Sequence, residues 1–204
     1  MSRRRLARRL AALAGFEEPR AALEQYATPP DLAAHVVHRA DLAGDLDSPV
    51  VDLGAGTGVL AVGAALRGAG VVGVDRDPAA LATARENAAT AGVAADWVLG
   101  DATRVPLCVT DPVTVLMNPP FGAQAGNEHA DRAFLATAAD IAAVSYSVHN
   151  GGSQSFVESF VADNGGTVTH AFEATVTLPR QFEFHDADSR DITAEVYRVE
   201  WCQS

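Results

Sequence analysis

From residue 50 to residue 150 the chain alternates short apolar runs with longer stretches of helical or loop character. The runs "VVDLG", "VVGVD", "ADWVLG", "VTVLMN" and "VSYSVH" are rich in β-branched residues and too short to be buried helices. Such runs, separated by helical stretches or loops, predict a mostly parallel sheet with helices on either side. Two helix starts are marked. Thr28 precedes Pro29, Pro30 and Asp31, and Asp77 precedes Pro78 and "AALATARENAATAG", each a cap followed by early proline. After about residue 165 the alternation stops, and "TVTHAFEATVTLP" and "ITAEVYRVEW" follow one another with no convincing helix between them. That predicts an antiparallel β hairpin closing the sheet. The expectation is an α/β fold in a single domain over residues 1–204, with residues 1–22 as a basic N-terminal helical arm.

A chain of 204 residues is ample for one core. Its apolar content of 48% contains no run long enough for a membrane span. The start, "MSRRRLARRLAALAGFEEP", has the charged opening of a signal peptide, but its apolar stretch is short and broken by arginines. A soluble, cytoplasmic protein is expected. Cys108 and Cys202 lie far apart, without CxxC spacing or clustered histidines, so neither a disulfide framework nor a metal site is suggested. Both read as small apolar residues in or near strands.

Charge changes the picture more. The net charge is −11, all fifteen basic residues are arginine, and sixteen aspartates stand against ten glutamates. A lysine-free, aspartate-rich surface suits concentrated salt, where self-repulsion is screened. It implies a halophilic source, which full folding and activity in dilute buffer would contradict. The balance is also uneven: residues 1–20 carry six arginines against Glu17 and Glu18, leaving −15 on the remainder. Arg3, Arg4 and Arg5 therefore belong either to a solvated amphipathic helix or to an arm that contacts nucleic-acid phosphates.

The first chemical motif is "VVDLGAGTGVLAVGAAL", residues 50–66, where a strand leads through Gly54, Gly56 and Gly58 into a helix. Glycines there allow a sharp turn and close ligand approach. The dinucleotide fingerprint G-x-G-x-x-G is not met, because position 59 is Val, while Asp52 precedes the glycines. The motif resembles the D-x-G-x-G-x-G motif of S-adenosylmethionine methyltransferases. Asp75, seventeen residues beyond Gly58 at the end of "VVGVD", can accept hydrogen bonds from both ribose hydroxyls. Asp77 competes for that role but fits a helix cap better. By the same resemblance, Asp101 stands where a residue faces the adenine amino group, or else is a solvated turn aspartate.

"MNPPFGAQ", residues 117–124, ends the fourth strand with residues that cannot continue it. In an open α/β sheet, ligands bind beyond the carboxyl ends of the strands. Prolines remove backbone donors and leave carbonyl acceptors facing such a site. The Asn118 side-chain oxygen and the Pro119 carbonyl can accept both N–H bonds of an exocyclic amino group, freeing its lone pair. Pro120 sets the turn and Phe121 can stack on a planar base. The motif suits adenine N6, guanine N2 or a protein glutamine, and does not choose among them.

Along nearly its whole length the chain resembles the methyltransferase-like 5 family of RNA adenine N6-methyltransferases. The resemblance is carried by "LEQYATPPDLAAHVV", "DLGAGTGVLAVGAA", "GVDRDPAAL", "MNPPFGAQ", "DRAFLATA", "YSVHN" and "LPRQFEFH". It implies a Rossmann-like class I methyltransferase fold, a seven-stranded mostly parallel sheet with a C-terminal antiparallel hairpin, and S-adenosyl-L-methionine as cofactor. It further implies that Gln25, Tyr26 and Thr28 line the cofactor pocket, that residues Asn118 to Phe121 hold a flipped adenine of small-subunit ribosomal RNA, and that a small zinc-binding activator protein pairs with the sheet edge. Residues 95–100, with Trp97, are the candidate edge. His149 and His185 are either substrate contacts or structural residues. The chain departs from the family at Asn150 and at "HDADSRD", where the family has lysines. A methyltransferase acting on protein glutamine or another base, or a non-catalytic RNA-binding module, are the competing readings.

Overall fold

The computed structural model describes residues 1–20, 23–111, 113–120, 130–179 and 189–202. Five strands follow the apolar runs: β1 (Val50–Leu53), β2 (Val71–Asp75), β3 (Asp96–Leu99), β4 (Val113–Met117) and β5 (Ala142–Asn150). They are parallel to their neighbours, in the order β3-β2-β1-β4-β5. The hairpin is formed by β6 (Gly166–Pro179) and β7 (Ser189–Trp201), with β7 inserted antiparallel between β5 and β6. The seven-stranded sheet is thus mixed but mostly parallel, as the pattern predicted.

Helices cover both faces. Over one lie α1 (Arg3–Leu10), α2 (Pro30–Ala43), α3 (Val59–Ala65) and α4 (Pro78–Ala91), whose buried residues include Leu6, Leu10, Val36, Val37, Leu60 and Ala88. Over the other lie α5 (Ala130–Ile141) and α6 (Gln154–Asp163), which contribute Phe134, Leu135, Val157 and Phe160. Because β1 sits between β2 and β4, chain order reverses there, and a crevice opens beyond the carboxyl ends of β1 and β4. The hairpin reaches further on the same side. Its last five pairs, Thr175↔Thr193 to Pro179↔Ser189, lie past Asn150↔Ala194, the final pair of β5, by about 17 Å at strand rise.

Three expectations need correcting. Thr28 does not cap α2; Pro29 occupies the N-cap position without a side-chain bond, and the threonine hydroxyl is engaged elsewhere. Asp77, in contrast, caps α4, its Oδ1 accepting from the Ala79 N–H at 3.1 Å. Among the described residues of the N-terminal arm the α-helix is Arg3–Leu10, and it is docked, since Leu6 and Leu10 are fully buried against α2 and α3. Apolar positions four residues apart give this helix a core-facing stripe that outweighs its charge. Finally, Cys108 and Cys202 are exposed free thiols rather than packed apolar residues. Among the described residues no helix is long and apolar enough to cross a membrane.

Candidate active site

The glycine loop leaves β1 at its carboxyl end. Gly58 has φ +82°, and a Cβ there would lie 2.6 Å from the Trp97 ring, so the turn into α3 admits no side chain. The Gly56 N–H donates to Asp75 Oδ2 at 2.8 Å, while the Asp77 N–H donates to Asp75 Oδ1 at 2.8 Å. Both carboxylate oxygens of Asp75 are therefore fixed by backbone donors, and the acid holds loop and strand end in register. Its pKa is raised by burial. Below the loop, Asp52 is buried, with Oδ2 accepting from the Ala61 N–H at 2.9 Å. Burial, with Asp75 close by, pushes its pKa up to about 7.

The segment between α1 and α2 crosses in front of this loop. Asn87 of α4 grips it, accepting from the Ala14 N–H at 2.8 Å and donating to the Ala14 carbonyl at 2.9 Å. Phe16 then lies against Gly56, where a Cβ would approach its ring to 3.0 Å. Gln25 donates to Asp77 Oδ2 at 2.6 Å and accepts from the Arg20 N–H at 2.8 Å. Its side chain thus ties the crossing segment to the cap of α4. Phe16, Gln25, Tyr26 and Thr28, together with Asp52, Gly54, Gly56 and Asp75, line a cavity of about 330 Å³, within the range of small-molecule sites.

Across the cavity from the glycine loop stands the end of β4. Asn118 and Pro120 are in the wall, and Pro119 is buried beside them. The Asn118 amide is anchored on one side only: Nδ2 donates to the Thr28 hydroxyl at 3.0 Å. Oδ1 is buried and has no hydrogen-bond partner among the described residues. A buried, unpaired acceptor is costly and marks a place where a ligand donor completes the bonding. The cavity therefore combines a carboxylate-lined half at β1 and β2 with an orphan acceptor at β4.

Asp101 is at the exposed rim, its Oδ1 accepting from the Thr103 N–H at 2.8 Å and the Thr103 hydroxyl at 2.7 Å; these bonds lower its pKa. Gly58 is not among the lining residues, its role being the turn and the fit of Trp97. His149 is outside the wall. It is buried, bonded to Ser147 Oγ at 2.9 Å and set edge-on to Tyr197, and burial pushes its pKa down to about 4. Arg3, Arg4 and Arg5 are exposed on α1 and also lie outside the wall. Phe121 and His185 fall outside the described residues. β3 is the edge strand, but the Trp97 ring packs inward over Gly58 and Gly73, leaving the strand backbone and the exposed Leu99 at the margin. Sequence reasoning missed Phe16 and Phe134 as lining residues and the bond from Asn118 to Thr28. An isolated aromatic in "AGFEEP" was the one signal for Phe16.

Comparison with known proteins places these features. Residues 31–174 match the family described as Methyltransferase small domain. The chain is 33% identical to the rRNA N6-adenosine-methyltransferase of Drosophila melanogaster over 97% of this chain and 95% of that protein, and 35% identical to that of Danio rerio over 90% and 91%. A crystal structure from Pyrococcus horikoshii, described as a candidate RNA methyltransferase, superposes with a TM-score of 0.90 at 37% identity, covering 100% of this chain and 99% of that one. The fold, without closer kinship, is shared with the magnesium protoporphyrin IX methyltransferase of Synechocystis bound to S-adenosylmethionine, with a TM-score of 0.63 at 18% identity over 83% of this chain and 78% of that one. Fold, crevice and sequence kinship agree: the chain belongs to the methyltransferase small domain family and, within it, to the family of the rRNA N6-adenosine-methyltransferases.

Proposed function

We propose that the protein transfers a methyl group from S-adenosyl-L-methionine to the N6 amino group of an adenosine in ribosomal RNA, small-subunit RNA being the expected substrate. The observation that carries this reading is the Asn118 amide, with Nδ2 held by Thr28 and Oδ1 buried and unpaired in the cavity wall. The other half of the cavity fits the cofactor: its volume is adequate, and Asp52 and Asp75 complement a cation. When bound, S-adenosylmethionine supplies an electrophilic methyl carbon and leaves as a neutral thioether. Asp75 holds the ribose hydroxyls, Gly54 and Gly56 let the cofactor approach the backbone, and Gln25 and Tyr26 close the pocket from the N-terminal side. Asp101, at the rim, faces the cofactor's adenine.

An exocyclic amino group is a weak nucleophile because its lone pair is delocalised into the ring. Asn118 Oδ1 and the Pro119 carbonyl accept its two N–H bonds, which pyramidalises the nitrogen and turns the lone pair toward the methyl carbon. Positive charge develops on that nitrogen during attack, so acceptors already in place stabilise the transition state more than the ground state. Pro120 shapes the turn, and stacking on the extruded base is assigned to Phe121 by its motif alone. No strong base is required before attack, and the acidic N-methyl ammonium that forms releases its surplus proton to solvent afterwards. His149 is buried, bonded to Ser147 and set edge-on to Tyr197; it and His185 are assigned to substrate contact by resemblance alone.

A small zinc-binding activator protein is the proposed partner, adding a strand to the open edge of β3, whose outer backbone groups are a template for pairing. The protein is assigned to the cytoplasm. Nucleoside mass spectrometry of small-subunit RNA incubated with the protein and S-adenosylmethionine, with and without the activator, tests the reading. N6-methyladenosine is expected to rise, and to vanish with Asn118→Ala while cofactor affinity is retained. Cofactor binding with no new methylated nucleoside under either condition refutes the RNA assignment and favours a protein substrate.

A further inference from the structure

The arginines of α1 have no role in the cavity just described. Leu6, Ala7 and Leu10 turn inward and are buried in the core. On the outward side Arg4, Arg5 and Arg8 lie within one hundred-degree sector of the helix, all exposed, and none has an ion-pair or hydrogen-bond partner for its guanidinium among the described residues. Their neighbours at the flanks are accounted for differently. Arg9 donates to the Ala91 carbonyl at the end of α4. Burial lowers the pKa of His35 on α2, and the charges of Arg3 and Arg39 lower it further, so the seam between α1 and α2 is also positive. The carboxylate on that side, Asp41, is taken by Arg67 at 3.0 Å.

This face is remote from the methyl-transfer site. Helix α4 runs from Asp77, whose neighbour Arg76 lines the cavity, to Ala91 beside Arg9, fourteen residues or about 21 Å. That distance corresponds to at least about six base pairs, since the rise of an A-form RNA duplex does not exceed the 3.4 Å of DNA. The body outside residues 1–20 carries nine arginines against twenty-four carboxylates, so a phosphate chain leaving the cavity meets few direct cationic partners elsewhere.

We propose that Arg4, Arg5 and Arg8 form a second RNA-contact surface that grips phosphates of the helices flanking the target adenosine. This rests on the proposed function and extends it: the substrate is a structured RNA that reaches both surfaces. Arginine suits the task in concentrated salt, where the screening length falls to about 3 Å and only direct, bidentate contact to phosphate persists. A membrane partner is disfavoured because the apolar stripe of the helix, which such a surface would need, is already in the core.

The test uses the full chain with its activator. After the modified adenosine is located in small-subunit RNA, KM and kcat are measured on a long fragment retaining the flanking helices and on a pentanucleotide around the target. The triple variant Arg4→Gln, Arg5→Gln, Arg8→Gln is expected to raise KM for the long fragment about ten- to hundredfold with kcat unchanged. KM for the pentanucleotide stays within about twofold, because the arginines lie beyond its reach. The matching triple lysine variant, which keeps charge and helix propensity, recovers part of the loss, and unaltered melting shows that α1 remains docked. An unchanged KM on the long fragment, or an equal rise on both RNAs, overturns the proposal. So does loss of binding to anionic vesicles with RNA kinetics intact. Failure of the wild-type protein to methylate either RNA counts instead against the proposed function.

Discussion

Replacing Thr28 by valine tests the mechanism at its least obvious point. The substitution keeps the shape of the side chain and removes the hydroxyl that holds Asn118 Nδ2 at 3.0 Å. No other hydrogen bond among the described residues restrains the amide, since Oδ1 has no partner there. An unsatisfied buried donor costs about 1–3 kcal/mol; this bond is partly buried, so about 1–2 kcal/mol applies. The amide escapes that cost by rotating, and rotation takes Oδ1 away from the position where it must accept from the substrate amino group. The penalty therefore appears in the transition state, as a fall in kcat of about five- to thirtyfold. Thr28→Ser retains the hydroxyl and is expected to stay within about threefold of wild type. Initial rates of methyl transfer to RNA give kcat, and calorimetry gives cofactor affinity, which should be preserved in both variants. An unchanged kcat in Thr28→Val would refute the positioning argument. Equal losses in the valine and serine variants, or a loss explained by weaker cofactor binding, would also sink it.

Two further outcomes concern the cofactor half of the cavity. Asp75→Ala removes the acceptor proposed for the ribose and releases the Gly56 N–H, so cofactor affinity measured by calorimetry should fall about ten- to hundredfold, with the fold retained by circular dichroism. Asp52 has a folded pKa of about 7 against an unfolded value near 3.9, so between these the folded state keeps a proton that the unfolded state has lost. Stability from this group is present at low pH and lost as pH rises through about 7; melting temperature should therefore decline over that window in wild type and flatten in Asp52→Asn. Affinity for the cationic cofactor should move oppositely, tightening as Asp52 ionises; a pH-independent affinity in wild type would contradict this.

The sequence by itself determined the alternation of strands and helices, because short apolar runs of four to nine residues separated by helical stretches suit a parallel sheet with helical crossovers. It also determined the order of the chemistry along the chain. Gly54 to Gly58 follow β1, Asp75 ends β2 and Asn118 follows β4, so the parallel arrangement alone brings all of them to one edge. The cap at Asp77 was legible because aspartate before proline satisfies a local N–H. The same local reasoning failed at Thr28, since a hydroxyl has one position in space, and tertiary packing set it beside Asn118, ninety residues away in sequence. What only the tertiary structure decided is of that kind. Gln25 meets Asp77 across fifty-two residues, Phe16 covers Gly56, and Trp97 turns inward onto Gly58 and Gly73 instead of facing outward at the edge. Helix α1 read as a charged arm by composition, yet Leu6 and Leu10 dock it into the core. Periodicity reports which residues share a face of one element; which element that face meets, and which polar atom is left without a partner there, depends on contacts between distant segments.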